Sequence, residues 1–203
     1  MSWYIPFLPR GSRFPLGMTV PHCSEPVAVE EGASARFQDE DEPVSHSAVD
    51  PLALRLHQAL LAREETVAAA ESLTAGLFCA TLATVPGASA TLRGGVVVYA
   101  TDLKAVLAGV PADLLAAHGP VSPETAAALA EGVRARCAAT WGVGLTGVAG
   151  PDPVDAHGPG RVYVGVCGRG HTAVHRLDLP GDRPAVRTAA VAAAMERLLS
   201  TLL

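Results

Sequence analysis

Short uncharged apolar runs alternate along this chain with longer segments of helical period, and that alternation constrains the fold more than any other feature. Residues 66–70, 94–99 and 141–146 carry the small, β-branched and aromatic residues of strands, and 94–99 (Gly-Gly-Val-Val-Val-Tyr) reads as a buried strand. Asp50-Pro51 and Ser122-Pro123 each place a capping residue before a proline at the first helical position. Leu52, Leu56, Ala59, Leu60 and Arg63 follow the first at helical spacing, and Ala126, Leu129, Val133 and Cys137 follow the second. Residues 77–82 resume a helical pattern, Pro86-Gly87-Ala88-Ser89 is a turn, 161–167 and 172–179 form a strand pair around Gly168 and Gly170, and 184–203 is a closing helix. Strands alternating with helices predict an α/β sheet covered on both faces.

The 203 residues suffice for one ordinary domain with its own core, or one domain with a tail. The formal net charge of -5 belongs to the first segment: residues 1–50 hold eight acids and three bases, and residues 51–203 hold twelve of each. No clustered basic face is offered to a phosphate backbone, which argues against nucleic acid as a partner. Residues 1–49 carry six prolines and the acidic run Asp39, Glu40, Asp41, Glu42 without an apolar period, so a disordered extension is expected ahead of a domain over 50–203. Pro6, Pro9 and Arg10 interrupt its aromatic start before a signal peptide can form, and the uncharged stretch 72–92 contains Pro86 and many Ser and Thr, which makes it a poor bilayer span. A soluble, cytoplasmic protein without a membrane partner is expected. Cys23, Cys79, Cys137 and Cys167 lie far apart with no metal-ligand spacing, so they are expected to be reduced, mostly buried thiols and no metal site is expected.

Three sequence-distant segments share one structural address, the loop after the C-terminal end of a strand: residues 71–76, 99–104 and 146–151. Along that edge open α/β sheets bind their ligands. Ser72 and Thr74 stand where strand gives way to helix, facing unpaired N–H groups and the positive end of a helix dipole, so either could serve an oxyanion site or merely cap the helix. A serine nucleophile needs a base, and the histidines offer no obvious one. His22 and His46 lie in the extension, His57 is on the first helix, and His118 beside Gly119 reads as a helix C-terminal residue, with His157, His171 and His175 in turns or near strand ends. Lys104 is the one lysine among fifteen basic residues. Burial without a counter-charge would lower its pKa until the neutral amine exists near pH 7. Tyr99, on the same strand-loop unit, could pass the proton or orient the amine, or could simply end a strand with its hydroxyl in water. The glycine-rich loop 147–151 lacks a Walker Lys and the spaced glycines of a dinucleotide fingerprint, so neither nucleoside triphosphates nor NAD are expected as cofactors.

Taken together, Glu71-Ser72-Leu73-Thr74-Ala75-Gly76, the strand ending at Tyr99 with Lys104 five residues on, Gly119-Pro120-Val121-Ser122, and Thr146-Gly147-Val148-Ala149-Gly150-Pro151 resemble the CinA C-terminal domain family from about residue 52 onward. Gly181-Asp182-Arg183 and Arg187 resemble its closing segment. The resemblance implies a three-layer α/β/α sandwich with a mixed, mostly parallel sheet. It also implies a nicotinamide-nucleotide amidase, in which water cleaves the carboxamide of nicotinamide mononucleotide to nicotinate mononucleotide and ammonia, a step of pyridine-nucleotide salvage. Ser72 would be the nucleophile, assisted by Tyr99 and Lys104, with N–H groups near the helix start holding the oxyanion. Substrate contacts would come from Glu71, Thr74, Gly76, Thr146, Gly147, Ala149 and Gly150, and the scheme calls for no cofactor or metal. Residues 1–49 are too short for the N-terminal domain of the larger family proteins, so the resemblance points to the stand-alone form. A homo-oligomer is compatible with the Ala-rich helix 122–138. Leu73 and Ala75 replace the family's usual Cys and Gly, and the loop after Asp152 also departs from its pattern, so Leu73 is expected to add bulk beside the nucleophile. The rival readings are a serine amidohydrolase for another small amide and a catalytically idle domain that binds a protein partner.

Overall fold

The computed structural model describes residues 49–203, so the expectations for the extension and for Cys23 lie outside the described residues. Helix α1 (Pro51–Ala62) begins as the sequence predicts, with the Asp50 carboxylate accepting the N–H groups of Leu52 and Ala53 at 2.8 and 3.0 Å. Strand β1 (Val67–Glu71) follows, then α2 (Leu77–Ala83), β2 (Leu92–Val97), α3 (Thr101–Val106), α4 (Ala112–His118) and α5 (Pro123–Arg136). The chain continues through β3 (Trp141–Gly147), β4 (Arg161–Gly168) and β5 (His171–Asp178) to the closing helix α6 (Arg183–Leu202). Helix α3 fills a stretch to which no regular element is assigned from sequence, and α4 ends at His118 with Gly119 as its cap, as expected of a helix C-terminal residue.

The five strands form one mixed sheet in the order β2-β1-β3-β4-β5. β1 pairs in parallel with β2 and β3, and the β3–β4 and β4–β5 pairs are antiparallel, so four strands run one way and β4 the other. Helices cover both faces. Leu56, Leu60, Phe78, Val191, Met195 and Leu198 from α1, α2 and α6 pack on one side against Val67, Ala69, Val143 and Leu145. Leu129 and Val133 of α5 pack on the other side with Ala68, Ala70 and Val98. This is the expected three-layer sandwich.

Glycines set how closely α5 approaches that second face. A Cβ added at Gly144 would lie 2.4 Å from the Ala126 carbonyl oxygen, at Gly142 2.0 Å from that of Ala130, and at Gly165 2.3 Å from that of Ala126. Helix backbone therefore rests directly on sheet backbone, which only glycine permits.

Two expectations are corrected. The run 94–99 is not a doubly buried strand: β2 is an edge, its side chains alternate between half-buried and exposed, and Tyr99 lies beyond its end. A continuous apolar run is the signature of an interior strand, but among the described residues β2 has a neighbour on one side alone. Of the described thiols, Cys167 is buried while Cys79 and Cys137 are half-buried, and all three are free. No helix among the described residues is long and apolar enough to cross a membrane.

Candidate active site

The C-terminal ends of β1 and β3 open between α3 and the start of α6, and there the three loops converge on a cleft of about 190 Å³. Ser72, Tyr99, Lys104, Thr146, Gly147, Ala149 and Gly150 all line it. Ser72 is the first residue after β1. Its N–H donates to the Leu145 carbonyl at 2.9 Å, a ladder bond that extends β1 against β3 and fixes the serine at the sheet edge.

Lys104 reaches Ser72 from α3. Its Nζ lies 3.1 Å from Ser72 Oγ and 2.9 Å from the Val98 carbonyl oxygen. The lysine is 2% exposed and the serine 8%. Burial pushes the Lys104 ammonium down to about 8 from its ordinary 10.5, opposed by the negative charge of Asp102 two residues earlier. No carboxylate within salt-bridge distance holds the charge in place among the described residues. In the neutral amine one N–H can stay on Val98 O while the lone pair faces Ser72 Oγ, the arrangement a general base needs.

Tyr99 does not join this pair. The alternation of β2 carries on past its end, with Val98 buried and Tyr99 54% exposed. Its hydroxyl meets Arg183 from the first turn of α6, and the same guanidinium donates to the Gly150 carbonyl at 3.0 Å. Tyr99 and Arg183 thus form the mouth of the cleft rather than its floor.

Glu71, Thr74 and Gly76 do not line the cleft. The Glu71 carboxylate, 1% exposed, turns under the loop and accepts the N–H groups of Gly76, Phe78 and Cys79, each at 3.0 Å. It therefore occupies the N-terminus of α2. The expectation that N–H groups at this helix start hold an oxyanion is corrected on the same ground, since a carboxylate already satisfies them and the Leu77 N–H donates to Thr74 O. Gly76 is the left-handed residue that precedes α2, with φ of 95°. Thr74 is fully buried and its hydroxyl has no partner among the described residues. Leu73 is 3% exposed and packs in the main core, and it also borders the cleft beside Ser72. Thr146 is anchored by its hydroxyl to the Pro120 carbonyl at 2.6 Å, which ties the β3 end to the loop 119–122.

The family model for the CinA C-terminal domain matches residues 49–202. The chain belongs to the CinA C-terminal domain family. A CinA-like protein of Frankia casuarinae is 50% identical over 137 residues, covering 68% of this chain and 32% of that protein. A CinA-like protein of Gemmatimonas aurantiaca is 43% identical over 150 residues, covering 73% and 35%. The chain thus matches about a third of the length of these curated relatives. A crystal structure of a CinA superfamily protein from Klebsiella pneumoniae superposes with a TM-score of 0.73 at 30% identity, over 74% of this chain and 95% of that one. The competence/damage inducible protein CihA from Agrobacterium tumefaciens gives 0.71 at 33%, over 73% and 92%. The fold expected of a CinA domain is therefore the one observed.

Two arginines at the site escape local sequence reasoning as site residues. Arg183 lines the cleft, and Arg187 donates through Nε to Leu73 O at 3.1 Å and through Nη2 to Thr74 O at 2.8 Å. An arginine in the first two turns of a helix carries no periodic or motif signal of its own. The resemblance of the closing segment is the only pointer to either.

Proposed function

We propose that this CinA domain is a serine–lysine amidohydrolase that deamidates nicotinamide mononucleotide to nicotinate mononucleotide and ammonia. The observation that carries the reading is the buried Lys104 Nζ, 3.1 Å from Ser72 Oγ in an open cleft. Neutral Lys104 takes the Ser72 proton as Oγ bonds to the amide carbon, and the carbonyl π pair moves to oxygen. When that tetrahedral species collapses, the C–N bond breaks and the Lys104 ammonium delivers its proton to the leaving nitrogen, releasing ammonia. Water then attacks the acyl-serine, gives a proton to Lys104, and Ser72 Oγ departs and is reprotonated.

The cleft's chemistry supports a small anionic amide. Its wall at 146–150 is made of backbone and small side chains, which admit a planar ring, and Arg183 offers a cation for a phosphate. Leu73, which supplies the argument for a different amide, packs in the core and borders the cleft. Ammonia release from nicotinamide mononucleotide by the purified protein, run beside Ser72→Ala and Lys104→Ala, tests the reading. Release by the parent and near-silence of both variants is the expected result. A folded parent that releases ammonia from other small amides but not from this one would remove the substrate and leave the chemistry.

A further inference from the structure

The two edges of the sheet are finished differently. The register of β2 against β1 skips Arg93, which puts a bulge in that edge, and bulges guard an edge against pairing. β5 instead runs against β4 from His171 to Asp178 in eight consecutive pairs without irregularity, and no further strand pairs with it among the described residues. It is firmly seated. Val174 packs beside Val121, Ala126, Val148 and Tyr163 on the α5 face, and Leu177 packs against the main core on the other.

Alternation decides which backbone groups this edge offers. Leu179 N–H donates to Gly160 O at 2.9 Å, one pair beyond the β4–β5 register. The N–H and C=O groups of Leu177, His175 and Ala173 therefore turn towards β4 as well, and those of Thr172, Val174, Arg176 and Asp178 face outward. The side chains of these four share the α5 face, where Thr172 Oγ1 donates to Glu131 Oε1 at 2.8 Å. Glu131 makes no salt bridge among the described residues, and Arg176 pairs only with Asp178 on its own strand, both side chains being more than half exposed.

A second copy can meet such an edge antiparallel about a two-fold axis normal to the sheet, and charge selects the register. The axis keeps like faces together, so it passes through a residue position. A centre at His175 sets Asp178 opposite Thr172 of the second copy, against its Glu131. A centre at Arg176 sets the two Arg176 side chains against each other. A centre at Ala173 carries Arg176 past the strand to the turn at Gly170. A centre at Val174 sets Val174 against Val174 and Arg176 opposite Thr172, beside its Glu131, which gives an opposite-charge contact on each side of the axis.

We infer that β5 is a self-association edge, on which a second copy of this chain pairs antiparallel about Val174, with Arg176 of each copy facing Glu131 of the other. Thr172, Val174 and Arg176 of the two copies exchange backbone hydrogen bonds, and the two five-stranded sheets become one. Helix α5, the face expected from sequence to pair, spends Ala126, Leu129 and Val133 on the sheet instead. The inference is independent of the chemistry at Ser72.

Sedimentation velocity of the full chain over a concentration series tests it, with a dimer expected. Arg176→Glu and Glu131→Arg should each raise the dimer Kd by about tenfold or more, because like charges then face each other on both sides of the axis. The double exchange Arg176→Glu with Glu131→Arg should return the Kd to within about threefold of the parent. Circular dichroism of each variant separates lost pairing from lost folding. Should a single variant fail to fold, amide exchange of the parent decides: the Thr172, Val174 and Arg176 N–H groups should exchange faster on dilution, and those of Ala173, His175 and Leu177 should not.

A parent that stays monomeric at every concentration overturns the inference and leaves the edge to a strand of another protein. A dimer that both single variants leave intact, or whose outward β5 amides exchange alike at all concentrations, overturns it by placing the interface elsewhere. Dissociation that the double exchange does not reverse overturns the pairing of Arg176 with Glu131, and the inference with it.

Discussion

Lys104 sits at a residue-scale balance between burial, which expels its proton, and Asp102, which retains it. If the neutral amine is the base, kcat/KM should rise with pH to a plateau with an apparent pKa of about 8. Asp102→Asn removes the opposing charge, so the midpoint should move below that of the parent and activity near neutrality should increase. Lys104→Arg keeps a group that stays protonated and should lose about 10²- to 10⁴-fold in rate. A pH series of initial rates on the three proteins checks all of this. Thr74 gives a contrasting case. Its buried hydroxyl has no partner among the described residues and does not line the cleft, so Thr74→Val should leave KM unchanged and raise stability by about 1 kcal/mol, read as an upward shift in denaturant midpoint. Ser72 and Lys104 are legible in the sequence because a hydroxyl at a strand end and a solitary lysine are local facts. Arg183 and Arg187 are not, because 84 residues separate Arg183 from Tyr99 and 113 separate Arg187 from Thr74, and folding alone joins them.

At the scale of elements, the helix α5 and the strands beneath it are specified by what their sequences leave out. Gly142, Gly144 and Gly165 make room for the carbonyls of Ala126 and Ala130, so Gly144→Ala should force α5 off the sheet and cost about 1–3 kcal/mol or more, measured by chemical denaturation. The same substitution at Gly94, where an added Cβ meets nothing within 4 Å but φ is 142°, should be destabilising through backbone strain alone. Caps and period make α1 and α5 readable, and Asp50 and Ser122 accept the N–H groups that capping predicts, while Asp182 caps α6 in the same way. The position of β2 is not readable, since Val-Val-Val forms an edge or an interior strand equally well and the choice depends on where the chain returns. α3 and α4 are only six and seven residues long, too short for periodicity to register.

Across the whole molecule, the end of the sheet opposite the cleft is tied by one carboxylate. Glu65 accepts the Trp141 indole N–H at 2.8 Å and pairs with Arg169 and Arg63, joining the β1 approach, β3 and the β4–β5 turn. Burial works to raise its pKa, but the Arg169 and Trp141 hydrogen bonds and the charges of Arg169 and Arg63 together hold the carboxyl below its ordinary value. A carboxyl lowered in the folded state contributes stability above its unfolded pKa and loses it as pH falls through the folded one. Glu65→Gln should therefore lower stability at neutral pH and flatten its decline in acid, seen in unfolding curves from pH 7 to 3. Order of elements and layering are legible at this scale, whereas the cluster is not, because its partners are spread from residue 63 to residue 169. The solitary lysine has one last consequence, for chemical labelling. An acylating reagent finds a single side-chain amine in this sequence, and that amine lies at the floor of the cleft with its proton unusually easy to remove. Any occupant of the cleft would shield it, so the mass added at Lys104 by a small anhydride would report occupancy directly, with no engineered tag and no turnover required.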